Sequence, residues 1–62
     1  TRYVVENGAV FYVRAEEGRV LAGRWSPGAA SPAELPLDVA GGALWLPARV
    51  TRLVGQTSLD KL

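Results

Sequence analysis

The chain has no cysteine, no histidine and no methionine. Without cysteine there is no disulfide, the usual staple of a small domain. Without cysteine and histidine a structural zinc site is nearly excluded, because zinc is held by thiolates and imidazoles. The same two absences remove the common activated nucleophiles and bases. Ser26, Ser31 and Ser58 have no imidazole to activate them, and the single lysine, Lys61, lies next to the last residue. The carboxylates Glu6, Glu16, Glu17, Glu34, Asp38 and Asp60 fall mostly in expected turns and caps, where acids are ordinarily solvated. No enzyme, metal or cofactor is expected. Gly41-Gly42 lacks the GxxxxGK[ST] or GxGxxG context of a phosphate loop and reads as a turn.

Long apolar runs are also missing. No stretch approaches the length of a membrane span. Thr1 to Glu6 lacks the apolar run of a signal peptide. The expected compartment is the cytoplasm, with no membrane partner. Charge of one sign is not in excess: seven basic residues face six acidic ones, a net charge of +1. Nothing in that balance draws the chain to nucleic acid or an acidic surface. Six of the seven basic residues are arginine. Together with the Ala, Gly, Val, Leu and Pro content, this is the bias of a high-GC bacterial coding sequence.

What remains is a chain of 62 residues, enough for one domain of marginal stability. Residues 1–25 read as a three-stranded meander. Two β-branched and aromatic runs, Arg2–Glu6 and Ala9–Arg14, flank Asn7-Gly8, a strong short signal for a type I′ hairpin. Glu16-Glu17-Gly18 fits a three-residue loop ending in a left-handed glycine, and Arg19–Trp25 is the third strand. These turns set a register in which Val4, Ala9, Phe11, Val13, Leu21 and Trp25 share a core face. The other face carries Tyr3, Val5, Val10, Tyr12, Arg14, Val20, Ala22 and Arg24. That face is too apolar for a solvated sheet face, so a contact is expected there.

Residues 26–36 form a loop with three of the four prolines, and Ser31-Pro32-Ala33-Glu34 has the pattern of a capping box for one short helical turn. Residues 37–55 read as a second hairpin around Gly41-Gly42 and a last strand at Ala48–Val54, where three β-branched residues outweigh a helical spacing of Val50, Leu53 and Val54. Residues 56–62 read as a tail, with a helix-start pattern at Thr57–Asp60. Gly42-Ala43-Leu44-Trp45-Leu46-Pro47-Ala48-Arg49-Val50 resembles the centre of AbrB-type swapped-hairpin DNA-binding domains, although Arg49 stands one place early. The family is not assigned on that stretch. The expected architecture is mainly β: a small antiparallel barrel or curled sheet of five or six strands with one short helical turn.

The expected function is a non-catalytic protein-interaction or self-association module, with a homodimer or a larger assembly as partner. Tyr3, Val5, Val10, Tyr12, Arg14, Val20 and Arg24 are its candidate interface, since Tyr and Arg are enriched as interface anchors. The alternative is a small β-barrel nucleic-acid-binding domain using the same Tyr and Arg side chains for stacking and phosphate contact. The plainer reading of Tyr3 and Tyr12 is a cross-strand pair that stabilises the sheet.

Overall fold

A computed structural model describes all residues, Thr1 to Leu62. Four strands come first: β1 (Arg2–Glu6), β2 (Ala9–Glu16), β3 (Arg19–Trp25) and β4 (Ala33–Pro36). Two helices follow, α1 (Leu37–Ala43) and α2 (Ala48–Gln56), then a 3₁₀ turn at Leu59–Lys61. The strands form an antiparallel sheet in the order β1-β2-β3-β4. The sheet is not closed, so the expected barrel of five or six strands is replaced by an open sheet of four. Neither helix is long and apolar enough to cross a membrane.

The first hairpin is as expected. Asn7 and Gly8 have φ of 52° and 78°, the paired positive values of a type I′ turn. Val5 stands opposite Val10, Val4 opposite Phe11 and Tyr3 opposite Tyr12. The second hairpin differs. Glu17 and Gly18 have φ of 51° and 80°, a second turn of the same kind, and Glu16 pairs directly with Arg19. The loop therefore has two residues rather than three. A slip of one residue turns every side chain of a strand to the other face. Leu21 and Trp25 leave the expected core, while Val20, Ala22 and Arg24 enter the helix side. This register puts the small, fully buried Ala22 on the helix side, where the expected one would have put Leu21, Gly23 and Trp25.

The C-terminal half departs further from the expected strands. Leu37, Ala40 and Leu44 recur at i, i+3 and i+7, a helical stripe, and Ala40 and Leu44 are buried. Gly41 and Gly42 are exposed on the far side of α1 instead of turning a hairpin. In Ala48–Val54 the spacing of Val50, Leu53 and Val54 prevails over β-branching, because it faces these side chains toward the sheet. Gly42 to Val50, the stretch that resembles AbrB-type domains, holds no strand. The helical turn expected at Ser31–Glu34 is also replaced, since Ala33–Pro36 pairs with β3. Leu62, placed in a tail by the sequence, joins the core.

Helix α1 packs on β3 and β4, and α2 packs on β1 and β2. Both lie on the side carrying Ala9, Phe11, Val13 and Ala22, which form the core with Ala40, Leu44, Val50 and Leu62. The opposite side of the sheet has no layer over it.

Candidate functional site

Alternation along the strands places Tyr3 and Val5 (β1), Val10, Tyr12 and Arg14 (β2), Leu21, Gly23 and Trp25 (β3) and Glu34 (β4) on the open face. Five of the seven candidate residues are together there: Tyr3, Val5, Val10, Tyr12 and Arg14. Val20 and Arg24 are not, because the two-residue turn at Glu17-Gly18 rotates β3. Val20 packs against the core and the Arg24 guanidinium lies 5.6 Å from the centroid of the Phe11 ring.

The open face has two zones. Val5, Val10 and Trp25 form one row across β1, β2 and β3. Tyr3 flanks this row. Tyr3 is 68% exposed, Val5 60% and Trp25 37%. Trp25 is steadied by its loop, its Nε1–H donating to the Ala29 carbonyl at 3.2 Å. Open apolar side chains in adjacent rows of a sheet are a contact surface rather than scattered residues.

The second zone is polar and internally satisfied. Tyr12, Gly23 and Glu34 lie in one row. The Tyr12 hydroxyl donates to the Glu34 carboxylate from across β3. Strands two apart are separated by about 9.6 Å, so the phenol must lie over the residue between them. That residue is Gly23, and a Cβ added there would overlap the Tyr12 ring. Arg14 closes the same carboxylate from the neighbouring row, with Nη2 to Oε1 at 2.5 Å and Nε to Oε2 at 3.0 Å. Such a bidentate pair fixes the planes of both groups. A longer contact of 3.4 Å joins Arg14 Nη2 to Glu16. Leu21, in the ladder beside Arg14, is only 7% exposed although it lies outside the core cluster.

Titration follows from this geometry. The hydrogen bonds from Arg14 and then Tyr12 hold the Glu34 carboxyl down at about 2. Burial first, and then donation to Glu34, push the Tyr12 phenol up to about 12. The Arg14 guanidinium is held more firmly protonated by its bond to Glu34. Arg14, the arginine nearest the Tyr12 ring, is thus engaged by two carboxylates, and Arg19 stands unpaired at the Glu16 end of the face.

Sequence reasoning missed Glu34, which was placed in a helical turn, and Gly23 as the crossing point. Glycine inside a strand marks a close approach of another group, and that was the available signal. No protein-family model, curated protein or solved structure matches the chain.

Proposed function

We propose that the chain is a protein-interaction module whose open sheet face associates with a second copy of itself. The observation that carries this reading is the row of exposed Val5, half-buried Val10 and exposed Trp25, flanked by exposed Tyr3, on a face that neither helix covers. The zone beside it supplies orientation. Arg14, Glu34 and Glu16 are held in place with both signs present, which suits contact with a like surface. A two-fold dimer uses the same patch on both subunits.

Magnitude sets the strength. Four strands spaced about 4.8 Å apart and about 20 Å long present a face of roughly 400 Å² in projection. A standard interface covers about 800 Å² per partner, so this one falls at the small, transient end. A dissociation constant in the micromolar range or weaker is expected. The nucleic-acid alternative has less support on this face, because Arg24 lies on the opposite side and Arg14 is paired.

Sedimentation equilibrium between ~10 µM and ~1 mM tests the reading, since this range brackets a micromolar association. The chain should shift from monomer toward dimer. Val5→Lys places a charge at the β1 end of this row without touching the core and should leave a folded monomer. A wild-type chain that stays monomeric throughout would overturn the proposal.

A further inference from the structure

The helix side of the sheet ends in a cleft that the open face does not use. On β1, Glu6 stands opposite Ala9 of β2; two residues further along β2, Phe11 stands opposite Arg24 of β3. Strand spacing and rise put the Glu6 and Arg24 Cα atoms about 12 Å apart, with β2 between them. Ala9 is too small to fill that gap. The result is a cleft of about 310 Å³ lined by Glu6, Asn7, Ala9, Phe11, Arg24 and Trp45. That volume suits one ring system, at the lower limit of small-molecule pockets.

Three features of the lining point to a ligand. Glu6 and Arg24 have opposite charge and border one cleft, yet they form no salt bridge with each other or with any other side chain. Glu6 Oε2 and Arg24 Nε are each shut off from solvent with no hydrogen-bond partner in the chain. Orphaned polar atoms of this kind are uncommon in folded proteins, and here two of complementary type occur together. Trp45 stands at the rim, 80% exposed, with φ of 55°. A bulky residue in the left-handed region is strained, and such residues cluster at ligand sites.

The lining also states what it would accept. The Arg24 guanidinium offers donors and the Glu6 carboxylate acceptors, neither taken up by an ion pair, and Trp45 offers a flat apolar plate. A phosphate or carboxylate would suit Arg24 and be repelled by Glu6, and an ammonium would do the reverse. An uncharged amide edge satisfies both. We propose that this cleft binds a planar, uncharged ring with a lactam edge, as in guanine, hypoxanthine or uracil. Its C=O accepts from Arg24, the adjacent N–H donates to Glu6, and Trp45 stacks on its face.

Inosine and purine riboside test this directly. They are alike in stacking, but purine riboside carries neither the C=O nor the N–H of the lactam edge. Each is titrated into the ¹⁵N-labelled chain, following the Trp45 indole N–H and the Asn7 and Arg24 amides. Inosine should give saturable shifts at these three positions and bind at least about tenfold more tightly than purine riboside, the discrimination expected of a paired donor and acceptor. Glu6→Ala should weaken inosine toward the level of purine riboside and leave purine riboside unchanged. Trp45→Ala removes an exposed ring, leaves the fold intact and should weaken both purines by about tenfold through lost stacking. Equal binding of the two purines, or no saturable shift up to ~10 mM, would overturn the proposal, a limit already at the weak end for one ring. If Glu6→Ala loses the dispersed spectrum of a folded chain, the ratio of inosine to purine riboside affinity and Trp45→Ala decide the matter alone.

Discussion

Gly23 is the position where one methyl group tests the geometry of the open face. Its backbone φ is not in the left-handed region, so alanine meets no backbone strain there. What it meets is the Tyr12 ring, which must swing off the strand and release Glu34. A hydrogen bond to a charged group is worth about 1.5–3 kcal/mol, and partial exposure of this one reduces it to about 1 kcal/mol. Alanine in place of glycine inside a strand returns about 0.5–1 kcal/mol of chain entropy. The two effects nearly cancel, so a melting temperature discriminates poorly. Titration of the phenol discriminates well. In a Tyr3→Phe background Tyr12 is the remaining tyrosine, and its ionisation is read from phenolate absorbance. Its pKa should fall from about 12 toward 10.0 in Gly23→Ala. Glu34 should stay well below its ordinary 4.5, because Arg14 still holds it. A Gly23→Ala chain whose Tyr12 still titrates near 12 would show that the phenol does not cross the strand at this glycine.

Further outcomes follow from the same structure. Phe11 is buried in the core cluster, and Phe11→Ala should cost about 3–5 kcal/mol, enough to abolish a cooperative melting transition in a chain this small; calorimetry checks it. The Glu34 carboxyl is depressed in the folded state, so its stabilisation is complete above pH 4.5 and is lost as pH falls toward 2. The Tyr12 phenol is raised, so its contribution is complete below pH 10.0 and is lost as pH rises toward 12. Urea midpoints across pH should fall at both ends, and Glu34→Gln should flatten the acid limb. Trp45→Gly should raise stability by about 1 kcal/mol, because glycine takes the left-handed conformation freely and the ring is exposed; thermal unfolding measures this.

The first hairpin was legible because Asn-Gly admits one tight turn and that turn fixes the register. The second was not, for a reason confined to one residue. Both a three-residue and a two-residue loop put Gly18 at positive φ. They differ in Glu17, whose left-handed conformation is unfavourable for glutamate. That single choice moved Arg24 from the candidate interface to the cleft with Glu6, and Trp25 from the core to the open face. The C-terminal half was ambiguous at the level of periodicity. Leu37, Ala40 and Leu44 carry a helical stripe, but Gly41-Gly42 between them carries a turn signal. Burial of the stripe on the sheet decided the outcome, which local sequence does not encode. The expected second face held in part: Tyr3, Val5, Val10, Tyr12 and Arg14 share it, since they belong to the correctly registered hairpin, whereas Val20, Ala22 and Arg24 lie on the helix side.

Contact between two copies through the open face is tested most directly by isotope-filtered nuclear Overhauser spectroscopy. A sample mixing ¹³C-labelled and unlabelled chains at ~1 mM populates a micromolar dimer. Intermolecular cross-peaks should join the Val5 and Val10 methyl groups to the Trp25 indole or the Tyr3 ring of the second copy, and should vanish in Val5→Lys. A spectrum without intermolecular cross-peaks, or one whose cross-peaks arise only from the helix side of the sheet, would contradict an interface on this face.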